Sequence, residues 1–266
     1  MTTLAHPAIP TAVWQDIQAR LDTIAAEQRV RVLLAIESGS RAWGFPSPDS
    51  DYDIRFVYVR ERDWYLRLQP GRDVIETPIE DEIDLNGWDI RKALGLLLKS
   101  NAVIGEWIES PIRYRPLHPI VDRLRALADR LLDPRALAHH YARLGGNAAE
   151  RWLDGDGPVP VKKYFYALRP ALVIRYLRLR PGSRPPMHLD ALVAGADLPA
   201  AIADNIADLV EAKRRSNEKA NGMRIAALDS LIRAELTRVS ELPAGPPPGA
   251  DDWAEADDIF LNLVQS

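Results

Sequence analysis

Gly39-Ser40-Arg41-Ala42-Trp43-Gly44-Phe45-Pro46-Ser47-Pro48-Asp49-Ser50-Asp51-Tyr52-Asp53 is the stretch on which the reading of this chain turns. An apolar run at 32–36 leads into it and a second, at 54–59, leads out. A strand therefore runs into a Gly-Ser turn, and two carboxylates one residue apart open the next strand. Residues i and i+2 of an extended chain point the same way, which sets Asp51 and Asp53 side by side. Close carboxylates repel unless a cation lies between them, and Mg²⁺ typically takes one or two carboxylates together with substrate phosphates. Gly39 allows close backbone approach with free N–H groups, and Ser40 adds a hydroxyl, as a phosphate requires. Asp49 reads as a turn former. Arg41 suits either a phosphate or a brace for a carboxylate. The chemistry is that of a metal–nucleotide site.

Working outward, Val13, Trp14, Ile17, Leu21 and Ile24 recur at helical spacing and predict an amphipathic helix over 11–27. Strands are expected at 31–37 and 52–59, with a short helical turn at 40–45 whose amides would face a phosphate. A short helix over 61–68 ends at Pro70-Gly71. A hairpin or bent pair, 73–77 and 82–86, surrounds Pro78, and a helix begins near Asp89. Another helical turn or two falls at 102–109, before an extended 110–115. The sum is a small mixed sheet flanked by helices. From 116 the pattern becomes Leu/Ala-rich and helical, at 117–131, 135–153, 160–180, 199–216 and 222–240. A Pro/Gly-rich linker at 241–249 follows, then a docking helix carrying Trp253, Ile259, Phe260 and Leu263. The expected fold class is α+β, with a catalytic domain at 1–115 and a helical domain at 116–266. A ligand cleft is expected between them.

The chain has 266 residues, no cysteine and a formal net charge of −4. Disulfides and thiolate metal sites are excluded, and gross coating of nucleic acid is disfavoured. No apolar run approaches the length of a bilayer span, and residues 1–14 make a poor secretory signal. The expectation is a soluble cytoplasmic protein with no membrane partner. Between Gly157 and Leu189 there is no acid, while Lys162, Lys163, Arg169, Arg175, Arg178, Arg180 and Arg184 are all cationic. Acids gather in the tail at Asp251, Asp252, Glu255, Asp257 and Asp258. A local anionic ligand is the natural inference.

The Gly-Ser turn followed by Asp-x-Asp resembles the DNA polymerase β-type nucleotidyltransferase superfamily. The longer strings GSRAWGFPSPDSDYDIRFVYV (39–59), DLNGWDIRKAL (84–94) and KKYFYALRP (162–170) resemble the YcgL or RlaP family of predicted nucleotidyltransferases, proposed for RNA repair. The resemblance implies a polymerase β-type core and transfer of a nucleoside monophosphate from an NTP. It implies two Mg²⁺ ions, with Mn²⁺ an alternative, held by Asp51, Asp53 and a third acid on a following strand. Asp84 fits that place, between apolar Ile83 and Leu85. Glu82, two residues earlier, and Asp89, which also suits a helix N-cap, compete with it.

Lys162, Tyr166, Arg169 and Val173 fall on one helical face with Lys163 beside them. The functional reading makes Lys163, Tyr166 and Arg169 nucleotide contacts alongside Gly39, Ser40 and Arg41. The plainer reading is a solvated cationic helix. Trp43 and Trp88 suit a nucleotide pocket wall or core packing equally. His139 and His140 point apart on a helix and read as structural. Lys213, Arg214, Arg215 and Lys219 read as a solvated basic face. The acceptor is left among an RNA end, a protein hydroxyl and a small molecule. The competing function is a non-catalytic nucleotide-binding or antitoxin-like interaction module on the same fold.

Overall fold

Strand alternation and helical stripes produce the order of elements in the computed structural model, which describes residues 9–150, 152–155, 157–215 and 221–265. In chain order these are α1 (Thr11–Gln28), β1 (Val30–Glu37), α2 (Gly39–Trp43), β2 (Tyr52–Arg60), α3 (Arg62–Tyr65), β3 (Val74–Glu76), β4 (Ile83–Asp89), α4 (Ile90–Leu97), α5 (Ala102–Glu109) and α6 (Ile120–Arg130). There follow α7 (Pro134–Ala149), β5 (Val159–Pro160), α8 (Val161–Leu179), α9 (Leu189–Gly195), α10 (Ala200–Arg215), β6 (Asn221–Gly222), α11 (Ala226–Leu236), a 3₁₀ turn at Val239–Glu241, and α12 (Ala250–Gln265). The described residues group into two compact units. One is drawn from 1–42, 51–131 and 247–266, the other from 43–50 and 132–246.

The first unit is built on a mixed sheet of order β1-β2-β4-β3. Strand β2 runs antiparallel to β1 and parallel to β4, while β3 closes back on β4 as an antiparallel edge. Both faces are buried. Ile54, Phe56, Tyr58, Ile83 and Leu85 meet Trp14, Ile17 and Leu21 of α1 on one side. Leu34, Ile36, Val57 and Val59 meet α4, α5, α6 and α12 on the other. A register shift between Val32 and Leu34 turns two consecutive leucines, Leu33 and Leu34, into that second core. Ile17 and Leu21 are wholly buried, each worth about 1.5–3 kcal/mol by area removed from water.

Helices α6 and α12 pack on the sheet of this unit, although the sequence pattern groups both with the helical half. Leu124, Leu127, Ile259 and Leu263 share a core with Val57. The acidic tail explains the pairing: Arg123 meets Glu255 at 2.9 Å and Asp258 at 2.7 Å, and Arg130 meets Asp252 at 3.3 Å.

In the second unit α8 is buried nearly all round, from Tyr164 and Phe165 to Ile174 and Leu177. A helix apolar on every side belongs in a core. It runs through Pro170 without interruption. A Cβ added at Gly145 of α7 would press on Pro170 and Leu236, so the missing side chain lets these segments approach. The cations of α8 are largely spent internally. Arg175 and Arg178 each reach the buried carboxylate of Glu235 in α11 at 3.0 Å, and Arg180 donates to the Gly195 carbonyl. Residues 43–50 belong to this unit, where Phe45 stacks on Phe165 with centroids 4.3 Å apart. Helix α9 has too short a pattern for periodicity to reveal. His188 caps it, accepting from Asp190 N at 3.3 Å. Among the described residues no helix is long and apolar enough to cross a membrane.

Gly87 of β4 lies opposite Phe56, and a Cβ there would strike the Phe56 ring. Gly87→Ala should therefore destabilise the protein by roughly 1–3 kcal/mol through overpacking. Thermal denaturation checks this, and an unchanged melting temperature would contradict it.

Candidate active site

The parallel ladder pairs Asp53 with Asp84 and Arg55 with Asn86. Paired residues on adjacent strands project from the same face about 4.8 Å apart, so the two carboxylates are neighbours although a helix and a strand separate them in the chain. Arg55, two positions along on that face, answers both. Its Nη2 lies 3.3 Å from Asp53 Oδ1 and 2.7 Å from Asp84 Oδ2. Its Nη1 donates to the carbonyls of Ile54 and Asp84, each at 2.9 Å. Asn86 Nδ2 donates to Asp84 Oδ1 at 2.6 Å.

Asp51 is exposed, immediately before β2. Arg41 Nε donates to its carbonyl at 3.2 Å, and the guanidinium lies 3.9 Å from the centre of the Tyr52 ring. Arg41 thus braces the acidic turn. Glu82 is exposed with φ of +62°, outside the strand, and its carbonyl accepts from Tyr52 N at 2.7 Å. Asp89 is buried as the N-cap of α4, accepting from Arg91 N and from Tyr65 Oη, each at 2.8 Å. Burial pushes its pKa up. Of the three acids considered beside the Asp-x-Asp pair, the register brings Asp84 to Asp53 and leaves the other two in backbone roles.

Among the described residues no three His, Asp or Glu side chains form a ready metal cage. Asp53 and Asp84 converge instead on one cationic group, Arg55. The two carboxylates offer oxygen ligands of the kind a hard divalent ion such as Mg²⁺ takes, one or two carboxylates being its usual number. His139 and His140 take no part in any such group; His140 packs its ring edge-on against Tyr141.

Beneath Asp53 lies Glu37, an acid that the strand pattern did not single out. It is wholly buried at the end of β1. Its Oε1 accepts from Asp53 N at 3.0 Å and its Oε2 accepts from Tyr114 Oη at 2.6 Å. Burial pushes the Glu37 pKa up to about 8, against the lowering effect of those two bonds, and the nearby Asp53 charge adds to the rise. Ser110 Oγ donates to the Glu37 carbonyl at 2.6 Å, tying the 110–114 segment to the same point. The signal available in the sequence was parity: Glu37 follows Ala35 on the core side of β1. Parity also marks Arg55, two residues beyond Asp53.

Gly39 opens the turn with φ of +63°, and an added Cβ would fall on the Asp53 carboxylate. Only glycine fits, for conformation and for space. Ser40 follows, half-buried, in α2.

The remaining residues singled out from the sequence lie in the second unit. Lys162, Lys163 and Tyr166 line a cavity of about 420 Å³ with Asn147, Ala148 and Glu150. Arg169 does not join them. It is buried, donates to the Met187 carbonyl and lies 4.7 Å from the Trp43 ring centre. Trp43 packs edge-on against Tyr166, and Trp88 packs against Trp107 at 4.0 Å in the core of the first unit. The described part of the basic cluster, Lys213 to Arg215, is not simply solvated. Lys213 is buried and donates to Ser47 Oγ at 3.1 Å, and Arg214 donates to the Gly44 carbonyl at 3.0 Å. Arg215 pairs with Glu211 on the surface, while Lys219 lies outside the described residues.

Glu37 makes stability depend on pH with a definite sign. Its folded pKa lies above the ordinary value of 4.5. Between that value and about 8 the unfolded chain releases a proton that the folded chain keeps, so stability falls as pH rises through this window. Glu37→Gln should remove that fall. In denaturant titrations with a chelator present, the variant should gain on the natural protein by up to a few kcal/mol from pH 5 to pH 8. Parallel pH profiles for the two proteins would contradict the assignment.

This chain resembles known proteins over most of its length. The model of the family described as "RlaP: RNA repair pathway DNA polymerase beta family" matches residues 13–262. An "Uncharacterized protein YcgL" of Bacillus subtilis (strain 168) is 38% identical over 256 residues, covering 94% of this chain and 96% of the relative. No solved structure matches significantly. A match over nearly the whole chain, on a mixed four-stranded sheet bearing the Gly-Ser turn and paired acids, places this chain in the RNA repair pathway DNA polymerase beta family.

Proposed function

We propose that this chain is a Mg²⁺-dependent nucleotidyltransferase that moves a nucleoside monophosphate from an NTP to an acceptor hydroxyl and releases pyrophosphate. The observation that carries the reading is the register pairing of Asp53 with Asp84, two residues beyond Asp51 and against the Gly39 turn. Asp51, Asp53 and Asp84 are the residues that would hold divalent ions, Mg²⁺ or Mn²⁺. When bound, such ions supply positive charge to the triphosphate and to the oxygens that gain charge during transfer.

On this reading the chain's own residues take the following roles. Gly39 and Ser40 offer backbone N–H groups and a hydroxyl to the phosphates, and Arg41 keeps the turn and the start of β2 together. Asp84 would orient the acceptor hydroxyl. The acceptor oxygen bonds to the α-phosphorus as the bond to the β-phosphate bridge breaks. No covalent nucleophile is needed, because positioning and charge stabilisation supply most of the acceleration. Lys163 and Tyr166 are proposed as nucleotide contacts, on the strength of the cavity they line. Arg169 is not, since its guanidinium is committed to Met187.

An RNA end is the favoured acceptor, because the family's description names an RNA repair pathway. The net charge of −4 suits a single end better than a long nucleic-acid track. Asp51→Asn and Asp53→Asn should each lower NMP transfer by at least about 100-fold, with unchanged circular dichroism. Incubation with each labelled NTP and total cellular RNA or protein identifies the acceptor pool. Undiminished labelling by both variants would defeat the proposal. Nucleotide binding with no pyrophosphate release over the same pools would favour the non-catalytic module.

A further inference from the structure

The guanidinium of Arg55 stands between the two carboxylates that the proposed reaction needs. Nη2 faces Asp53 Oδ1 and Asp84 Oδ2, at 3.3 and 2.7 Å. Nη1 faces the opposite requirement and is pinned by the Ile54 and Asp84 carbonyls. One end of the group is therefore fixed to the backbone of β2 and β4, and the other offsets one of the two negative charges of the acid pair. The side chains of Arg55, Asp53 and Asp84 are 19%, 31% and 21% exposed. Partly shielded from water, they interact more strongly than surface charges do. Arginine cannot give up its proton, so this positive charge is permanent.

We propose that Arg55 is a built-in counter-ion that competes with divalent metal for the Asp53–Asp84 pair. The free chain then holds metal weakly, and uptake is coupled to nucleotide. This rests on the reading of Asp53 and Asp84 as metal ligands. A metal ion arriving alone must displace a charge-assisted contact whose donor is tethered to the strands beside it. A metal ion arriving with a triphosphate brings additional oxygen ligands. The displaced guanidinium can then pass as a unit to a phosphate oxygen, which arginine binds as readily as a carboxylate. A purely structural pin would need only the two carbonyl bonds of Nη1. The Nη2 contacts are what make Arg55 a positioning residue for the acids.

The test is Mn²⁺ binding by the full chain without nucleotide, read from the spectrum of free Mn²⁺. Arg55→Gln should bind Mn²⁺ at least about 10-fold more tightly than the natural protein, as expected for removing a cation within about 4 Å of the ligands. Arg55→Lys, which keeps the charge, should stay close to the natural protein. Asp84→Asn should weaken binding in the Arg55→Gln background. Equal affinities for the natural protein and Arg55→Gln, with Asp84→Asn weaker, would overturn the role of Arg55 and leave the metal site standing. No binding by any of the proteins, Arg55→Gln included, would overturn the role of Arg55, and no binding with an NTP present as well would overturn the metal site. A second measurement needs no variant: in ¹⁵N-labelled natural protein the Arg55 Nε–H resonance should shift as Mg²⁺ saturates. Saturation without a shift would overturn the proposal.

Discussion

The parallel pairing of β2 with β4 is the constraint on which the candidate site rests. Antiparallel neighbours can be joined by a tight turn, whereas a parallel pair needs a longer crossover. Here the crossover contains α3 and the edge strand β3, and it returns the chain so that Asp84 stands beside Asp53. A slip of one residue would turn Asp84 into the core and Ile83 or Leu85 outward. The buried positions of Ile83 and Leu85 therefore hold the acid pair in place as firmly as the ladder does. The pairing of these two acids depends on hydrophobic registration.

Charge is managed differently at three points of the same unit. Asp53 and Asp84 remain partly exposed and share Arg55. Asp89 is spent on capping α4. Glu37, fully enclosed, has its pKa pushed up because burial outweighs two good hydrogen bonds. Had Glu37 been ionised, a second negative charge would face the backbone of Asp53 in a region of low dielectric. As a neutral acid it can still receive the Asp53 N–H and hold the start of β2 against β1. The Gly39 turn closes over the same carboxylate, so three elements meet at Asp53: the end of β1, the turn and the start of β2.

The second unit shows why composition is a poor guide to a ligand. Its stretch without acids is matched by a carboxylate supplied from far along the chain. Glu235 receives Arg175 and Arg178 together, and leaving either partner alone in the core would cost several kcal/mol. Arg169 and Lys213 are likewise satisfied by Met187 and Ser47. Lys162, Lys163 and Tyr166 line one cavity of this unit.

Much of this was legible in the residues alone. Local patterns determined the α1 stripe, the strands on either side of the Gly-Ser turn, the β3–β4 hairpin and the helical second half, because each is encoded by periodicity within one segment. Of the Asp-x-Asp pair, Asp53 stands at the start of β2, while Asp51 lies just before the strand. Which distant acid joins Asp53, which cation answers it and which arginines are free were decided only by tertiary structure. Those outcomes depend on strand register and on partners remote in the chain: Asp84 for Asp53, Glu235 for Arg175, Tyr114 for Glu37. A pattern of residues states what a segment prefers, but an electrostatic role belongs to a pair, and pairs exist only once the backbone has closed.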